Sequence, residues 1–249
     1  MRFHILTLFP DIFSSYLTGG LLGRALQKEL LHVDLHDIRE FAKDKHRTVD
    51  DKPFGGGAGM LMIPSPLFDA VESIRCTSKF ADSTPVVLLS PQGKRMDQPT
   101  AERLVSNDDV VLICGRYEGV DERVKQKLVT EELSIGDYVL NGGELAAMVV
   151  MEVVARLIPG VVGSVESTAS DSFTSGLLKY PQYTRPAEFR GSSVPEILLS
   201  GNHPEIRLWR RRESLRRTFE FRKDLLESAK LDEQDRLFVE HLQKMQNDK

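Results

Sequence analysis

Short apolar runs alternate with stretches of helical periodicity through the first two thirds of the chain. Strands are predicted at 3–8, 32–36, 85–89, 110–114 and 135–140, and helices at 12–31, 66–74, 98–104 and 145–158. Strands that alternate with helices indicate a mostly parallel sheet with helices packed against it. The predicted fold class is therefore α/β.

Three of these strands are predicted to end on turns that are rich in glycine or proline. The turns are SPQG at 90–93, GRYEG at 115–119 and NGG at 141–143. Glycine allows a ligand to approach the backbone closely, and ligands of open α/β sheets bind beyond the carboxyl ends of the strands. The turns predict a small-molecule pocket at one edge of the sheet, with Tyr117, Glu118 and Asp137 as its polar side chains.

A glycine-rich loop at 43–62 is a second candidate site. Four of the five residues at 55–59 are glycine, and the basic side chains of Lys45, His46 and Arg47 precede them. A mobile backbone beside cations suits a phosphate group or the edge of a nucleobase. The spacing matches neither the dinucleotide-binding fingerprint nor the P-loop, so a plain flexible loop remains an equal alternative.

The predicted helix at 145–158 is apolar on nearly all sides. Glu144 precedes it, where a helix N-terminus favours a negative charge. Its only charged residues, Glu152 and Arg156, are spaced as a possible i,i+4 pair. A helix of this kind must be covered all round, and one sheet covers one side. We therefore expect a subunit interface, most simply that of a two-fold homodimer.

The composition of the chain changes after residue 160. Ten of the seventeen residues at 160–176 are Gly, Ser or Thr, which is typical of a flexible linker. Two helices are predicted beyond it, at 205–223 and 232–245, with Trp209, Leu215, Phe219, Leu237, Phe238 and Leu242 as apolar contacts. The predicted organisation is a domain at 1–160, a flexible linker at 161–176 and a small helical domain at 177–249.

Charge is unevenly distributed along the chain. The whole sequence has a net charge of −4, whereas residues 201–223 contain eight Lys or Arg against three acidic residues. A basic segment on an acidic chain indicates a localised contact with a polyanion. A solvated basic helix face is the alternative.

Cysteine usage and hydropathy indicate the compartment. The two cysteines, Cys76 and Cys114, are far apart and lack metal-type spacing, which favours a reducing environment. Cys114 ends an apolar run and is expected to be a buried thiol. No uncharged apolar run approaches the roughly 18 residues of a membrane span. We expect a cytoplasmic protein that does not bind membranes.

Several longer motifs, in one order along the chain, resemble those of a single enzyme family. They are LLSPQG at 88–93, GRYEG at 115–119, SIGDYVLNGGE at 134–144 and GLLKYPQYTRP at 176–186, with PFGGGAGM at 53–60 and SGNHPEIRLWRRRESL at 200–215. The chain resembles the bacterial tRNA (guanine-N1)-methyltransferases of the TrmD type, in the SPOUT superfamily, from the first strand to the last helices. One glycine motif is weak, whereas several long motifs in register are specific.

The resemblance implies a fold, a methyl donor and a substrate. The sheet would contain a deep trefoil knot at its C-terminal side, made by the three turns, which is an exception to the rule against threaded loops. The substrate would be the guanine at tRNA position 37, 3′ of the anticodon. S-adenosylmethionine would be held by Leu88, Leu89, Ser90, Pro91, Gln92, Gly93, Gly115, Tyr117, Glu118, Gly119, Ser134, Ile135, Gly136, Asp137, Tyr138, Val139, Leu140, Gly142 and Gly143.

The resemblance also implies residue roles and an assembly. Asp171 corresponds to the general base of the family and Arg156 to its partner on the guanine, in a homodimer whose active site lies at the subunit interface. Magnesium is a possible cofactor whose ligands the sequence does not identify. The expected RNA contacts are Gly59, His46, Arg207, Arg210 and Arg211. The chain departs from the family at Ala146, where proline is common, and at Ser170, where an acidic residue is frequent.

The chemistry of these residue types suits methyl transfer to guanine N1. That nitrogen carries a proton, which a carboxylate must remove, and a cation near O6 stabilises the charge that develops. Two roles stay open, because Arg156 also suits a pair with Glu152, and Glu118 suits either an amino group of the cofactor or a cation. The competing functions are a non-catalytic RNA-binding protein and an α/β enzyme for another nucleotide. The glycine turns count against the former and the missing fingerprints against the latter.

Overall fold

The computed structural model describes residues 1–77, 81, 83–163 and 171–247. The chain forms two compact units, Met1–Gly163 and Ser164–Lys249. The division into a domain at 1–160, a linker at 161–176 and a domain at 177–249 stays a prediction, because residues 164–170, including Ser170, lie outside the described residues.

A five-stranded parallel sheet forms the centre of the first unit. The strands of this unit are β1 (Arg2–Thr7), β2 (His32–Asp37), β3 (Asp50–Asp51), β4 (Leu61–Met62), β5 (Val86–Arg95), β6 (Asp109–Cys114) and β7 (Glu131–Ser134). The sheet has the order β2-β1-β6-β5-β7, and its neighbouring strands are parallel. β3 and β4 form a separate antiparallel pair on either side of the glycines at 55–59. The predicted α/β class with a mostly parallel sheet is confirmed.

Helices cover both faces of this sheet. They are α1 (Ser14–Thr18), α2 (Gly20–Gln27), α3 (Pro64–Thr77), α4 (Gln98–Val105), α5 (Glu122–Lys127) and α6 (Glu144–Ala155). Successive strand residues point to opposite faces. Val110 and Leu112 therefore pack in one apolar cluster with α6, whereas Val111 and Ile113 pack in another with α3. This burial on both faces explains why β6 is apolar along almost its whole length.

The single helix predicted at 12–31 is wrong, because the segment is interrupted. Pro10–Phe13 form a 3-10 turn, and α1 is separated from α2 at Gly19, whose backbone is extended with φ −106° and ψ 167°. Gly20 follows with a φ of +61°, a conformation that favours glycine. Two adjacent glycines break the helix although the apolar spacing continues across them.

The strand predicted at 135–140 is also wrong. β7 ends at Ser134, whose hydroxyl donates to the carbonyl of Gly136 at 2.9 Å where the chain turns. Tyr138 and Val139 are consequently exposed, Val139 by 84%. Apolar residues follow the same pattern whether their side chains are buried in a core or lie at a pocket or an interface. The pattern therefore cannot distinguish these environments.

The predicted end of the strand at 85–89 is wrong as well. β5 continues to Arg95, and Leu133 of β7 pairs first with Leu89 and then with Lys94. The four residues at 90–93 therefore bulge out of the ladder between two paired segments. The Pro/Gly motif showed where β5 leaves the hydrogen-bonded ladder with β7. The sequence did not show where β5 rejoins it.

The second unit contains helices and one short antiparallel strand pair. Its elements are β8 (Glu188–Phe189), β9 (Ser192–Ser193), α7 (Glu196–Leu199), α8 (His203–Phe221), α9 (Lys223–Ser228) and α10 (Glu233–Asn247). The helices predicted at 205–223 and 232–245 are confirmed as α8 and α10. Leu215 and Phe219 are in the core, but the prediction for Leu237 is wrong, because it is 60% exposed and Val239 is buried instead. No helix among the described residues is both long and apolar enough to cross a membrane.

Candidate active site

A pocket of about 300 Å³ lies at the carboxyl edge of the parallel sheet. It is bounded by the bulge in β5, the loop after β6 and the loop after β7. All the residues predicted to hold the cofactor line it except Gly93 and Asp137. Six lining residues were not among the predicted cofactor-binding residues: Arg116, Val120, Lys125, Leu133, Asn141 and Ala146. Arg116 and Asn141 nevertheless lie in two of the turns that were predicted to form the pocket.

Backbone contacts join the two loops that follow β6 and β7. The Gly143 amide donates to the Gly115 carbonyl at 3.0 Å, and Arg116 forms an isolated antiparallel bridge with Gly142. A Cβ on Gly143 would lie 2.7 Å from the Cα of Cys114. Since the neighbouring atom is backbone and cannot swing aside, the two loops can pack in this way only with glycine at position 143.

Glu144, the first residue of α6, is a buried carboxylate beneath this junction. Its Oε1 accepts from the Thr7 hydroxyl at 2.8 Å and from Nε of Arg116 at 3.1 Å. Its Oε2 has no well-aligned donor among the described residues, so its attraction to Nη2 of Arg116, 2.8 Å away, is that of two opposite charges. The helix N-terminus also favours the negative charge, as the sequence predicted. Arg116 thereby fixes the loop after β6 to the start of α6.

Tyr117 and Lys125 also line the pocket. Tyr117 has a left-handed backbone with φ +60° and is 47% exposed, and such residues cluster at functional sites. Lys125 donates to Oε1 of Gln92 at 2.7 Å, which ties the β5 bulge to α5. The contact of Lys125 therefore fixes the β5 bulge beside the pocket.

Gly93 and Asp137 occupy different environments from the lining residues. A Cβ on Gly93 would lie 2.5 Å from the backbone of Glu132 and Leu133, so this glycine lets the bulge rejoin β7. Asp137 is exposed in the turn after β7. The packing of Gly93 suggests a structural role, and the cofactor-binding role of both residues stays a prediction.

Cys114 is a buried thiol, as predicted. Burial raises the pKa of the Cys114 thiol well above its ordinary value, and the charge of Glu144 raises it further, against a smaller opposing effect of Arg116. A thiol in this environment is inert. Cys114 is therefore a core residue, packed in the same apolar cluster as α6.

Arg156 lies just after α6, which ends at Ala155, three residues earlier than predicted. Its amide donates to the Glu152 carbonyl at 3.3 Å. The Glu152 carboxylate accepts from the Tyr16 hydroxyl at 2.8 Å. Burial of Tyr16, together with this hydrogen bond, raises the pKa of Tyr16. Glu152 thus has a structural partner of its own, and the two roles considered for Arg156 stay open.

A second pocket, of about 280 Å³, lies within the second unit. It is lined by Asp171, Ser175, Leu177, Leu178, Lys179, Tyr180, Arg207, Arg210, Arg211 and Ser214, and we call it the basic pocket. It brings the predicted general base together with the three predicted RNA-binding arginines. The presence of Lys179 in this group was not predicted.

The three arginines of the basic pocket differ in their contacts. Arg211 donates from Nε to both carboxylate oxygens of the buried Asp235, at 3.1 and 3.2 Å. The guanidinium of Arg210 lies 4.9 Å from the centre of the Tyr180 ring. Arg207 is exposed and has no hydrogen-bond or ion-pair partner in the described part of the chain. Arg207 is therefore the cation most available to an incoming anion.

Asp171 begins a turn that folds back toward Lys179. The Phe173 amide donates to the Leu177 carbonyl at 2.9 Å, and the Lys179 amide donates to the Ser172 hydroxyl at 3.0 Å. The turn brings Nζ of Lys179 to 3.0 Å from Oδ1 of Asp171. This part of the predicted linker therefore has defined hydrogen bonds, and its flexibility stays a prediction.

Of the two RNA contacts predicted in the glycine-rich loop, only Gly59 lies beside the pocket. A Cβ on Gly59 would lie 2.5 Å from Cγ of Glu118, and the Glu118 amide donates to the Met60 carbonyl at 3.0 Å. His46 lies in an exposed turn, where its amide donates to the Asp44 carboxylate. The end of this loop is thus attached to the pocket wall.

Among the residues that the structure describes, no three His, Cys, Asp or Glu side chains converge on a position that could hold a metal ion. We therefore assign no residues to magnesium and derive no step through it.

Comparison with known proteins places the chain in a family. A family model described as tRNA (Guanine-1)-methyltransferase TrmD matches residues 1–228. A Dehalococcoides mccartyi protein named tRNA (guanine-N(1)-)-methyltransferase is 51% identical over 249 residues, which cover 100% of both chains. A protein of the same name from Geobacillus kaustophilus is 54% identical, over 98% of this chain and 99% of its own. One from Moorella thermoacetica is 51% identical, over 100% of this chain and 99% of its own. The chain therefore belongs to the tRNA (guanine-1)-methyltransferase TrmD family.

Proposed function

We propose that this protein transfers the methyl group of S-adenosylmethionine to N1 of the guanine at position 37 of cytoplasmic tRNA. The observation that carries the proposal is the pocket at the carboxyl edge of the sheet, in a chain that matches this family over residues 1–228. Loops from three different strands converge there, each at a position that the family motifs occupy.

The pocket suits the methyl donor through its backbone and its apolar walls. Leu88, Ile135 and Leu140 offer apolar surface to an adenine ring, and the peptide groups near Gly115 and Gly142 offer hydrogen bonds. Glu118 lines the same pocket and suits a positively charged part of the donor. When bound, S-adenosylmethionine supplies a methyl group on a sulfonium, which transfers readily to a nucleophile that is aligned with it.

Asp171 and Arg156 perform the chemistry at guanine. The Asp171 carboxylate takes the proton from N1, and the electron pair of that nitrogen forms the new bond to the methyl carbon as the carbon–sulfur bond breaks. The Arg156 guanidinium lies near O6 and stabilises the negative charge that develops there. The proton remains on the Asp171 carboxylate until water removes it, and the bound donor would leave as a neutral thioether.

The active site is completed by a second copy of the chain. α6 has seven buried residues, yet Leu145 is 56% and Val149 41% exposed, one turn apart on the same helix. Exposed apolar surface of this kind indicates an interface, and a two-fold axis covers it with the same surface of the partner. Asp171 of one subunit would then serve the pocket of the other, and the loops around the pocket would form the trefoil knot.

Substrate RNA is held by the second unit and by the glycine-rich loop. Arg207 and Arg210 of the basic pocket face phosphates, and Gly59 and His46 approach the anticodon loop. RNA recognition of this type uses unstacked loop bases together with phosphate contacts, and the target base leaves its stack to reach the pocket.

The decisive experiment maps the methylated atom. Purified protein is incubated with S-adenosylmethionine and tRNA transcripts that carry either guanine or adenine at position 37, and the nucleosides are identified by mass spectrometry. The proposal requires 1-methylguanosine in the former transcript only. A methyl group on another atom, or tRNA binding without methylation, would refute it, the latter in favour of a non-catalytic RNA-binding protein.

A further inference from the structure

The ion pair between Lys179 and Asp171 plays no part in the reaction described above. Nζ of Lys179 lies 3.0 Å from Oδ1 of Asp171, with the two side chains 21% and 33% exposed. A nearby ammonium favours the ionised form of a carboxylate and weakens it as a base. In the free protein, the residue that must accept the N1 proton is therefore held in a pairing that opposes proton uptake.

The basic pocket offers Lys179 a different partner when RNA is present. Among the described residues that line the basic pocket, the charged groups beside Asp171 are Lys179 on its own turn and Arg207, Arg210 and Arg211 on α8, and Asp235 of α10 pairs with Arg211. The pocket therefore has an excess of positive charge, and Arg207 lacks a partner among the described residues. An anion that enters would compete with Asp171 for the Lys179 ammonium.

We propose that Lys179 is a positioning residue that holds the Asp171 carboxylate in the free protein and moves to a phosphodiester of the bound tRNA. The inference rests on the proposed function, because it takes Asp171 as the base and tRNA as the anion. Once Lys179 contacts the phosphate, the Asp171 carboxylate regains its basicity and takes the N1 proton as the methyl group is transferred. RNA binding thus activates the base.

The pH dependence of the two rate constants tests this exchange. The profile of kcat/KM reports the free enzyme and that of kcat reports the complex with substrate. We expect the acidic limb of the kcat/KM profile to lie at lower pH than that of the kcat profile. Lys179 is paired with Asp171 only in the free enzyme, where it favours the ionised carboxylate. In Lys179→Met, and in Lys179→Gln as a second variant without the charge, the two limbs should coincide.

Steady-state constants and salt dependence give an independent readout. Loss of one phosphate contact should raise the KM for a tRNA transcript with guanine at position 37 several-fold, and should lower the slope of log Kd against log salt by about 0.7–0.9. The kcat of Lys179→Met should stay within about twofold of the wild type, because Lys179 does not contact the base in the complex. Lys179→Arg should restore both KM and slope.

Two outcomes would overturn the inference while leaving the proposed function intact. One is a fall of more than about tenfold in the kcat of Lys179→Met at unchanged KM, and the other is limbs that coincide already in the wild type. If Asp171→Asn methylates tRNA at the wild-type rate, the assignment of the base fails, and with it the proposed mechanism. The Asp171→Asn variant, measured alongside, therefore distinguishes the two failures.

Discussion

The pocket at the sheet edge and the basic pocket are built from different parts of the chain. In the first unit, the walls combine peptide groups, glycines and apolar side chains, and Gly143 fits against Cys114 with room for a hydrogen atom alone. In the second unit, the basic pocket has four long cationic side chains around Asp171, beside apolar and hydroxyl-bearing residues. The pocket at the sheet edge should therefore tolerate changes of side-chain charge but not of backbone shape. The basic pocket should tolerate changes of shape but not of charge. The expected effects of substitution can therefore be ordered.

The largest effect is expected at Asp171. Asp171→Asn removes the proton acceptor and should slow single-turnover methylation of tRNA by about 10²–10⁴-fold. Calorimetric titration with S-adenosylmethionine should give an affinity close to wild type, because the donor pocket belongs to the first unit. Asp224→Asn, which removes a carboxylate paired with Arg222 in the same unit, is the control and should methylate normally. Turnover near wild type in Asp171→Asn would show that the base lies elsewhere.

A shape change in the first pocket should come next. Gly143→Ala places a Cβ 2.7 Å from the Cα of Cys114, so the loops after β6 and β7 must separate. Overpacking of this kind costs about 1–3 kcal/mol, and we expect S-adenosylmethionine affinity to fall at least tenfold by calorimetry. Gly19→Ala is the matched control, because its Cβ would meet only the Ser15 carbonyl oxygen at 3.5 Å. Equal affinities for the two variants would contradict the backbone origin of the pocket.

Within the basic pocket, two arginines should lose different properties. Arg207→Ala should weaken tRNA binding a few-fold and reduce its salt slope by about 0.7–0.9, without a change in melting temperature. Arg211→Ala leaves the buried Asp235 without its guanidinium and should lower the free energy of unfolding by about 1–3 kcal/mol. Filter binding at several salt concentrations and thermal melting measure the two effects. Identical behaviour of both variants would show that Arg211 and Asp235 are not paired in solution.

The smallest effect is a pH dependence of stability in the first unit. Nε2 of His36 and Nδ1 of His4 share a hydrogen bond at 3.2 Å. Nε2 of His4 also contacts the Asp109 carboxylate. Burial, together with the charge of His4 and against that of Asp34, lowers the pKa of His36 below its ordinary value. The unfolded chain therefore binds the proton first, and stability is lost as pH falls from about 6.5 toward the folded value.

Thermal melting between pH 7.5 and 5.5 measures this loss. The melting temperature of the wild type should fall more steeply over this interval than that of His36→Gln. Parallel melting profiles of the wild type and His36→Gln would mean that His36 makes no contribution to the pH dependence of stability. The stability of the first unit would then be insensitive to the charge at this position.

The sequence predicted the first unit better than the second. Strand–helix alternation and the glycine turns located β1, β2, β6 and most of the pocket lining, because burial and close backbone approach leave strong signals. It did not predict the contacts of Arg116 and Lys125, since a polar contact between side chains of distant residues has no local pattern. It placed 135–140 in a strand because apolar side chains at a pocket or interface resemble those of a core. In the second unit, composition suggested a flexible linker, whereas the hydrogen bonds of residues 171–179 depend on which groups the turn brings together.

The hydrogen bond from Thr7 to Glu144 joins residues 137 positions apart in the chain. During synthesis, the first strand emerges long before α6 exists, so the region where the donor binds cannot form until nearly the whole first unit has left the ribosome. Contacts between such distant residues also form late in folding. Affinity for S-adenosylmethionine is consequently a measure of completed folding, and a nascent chain truncated before residue 144 should have none.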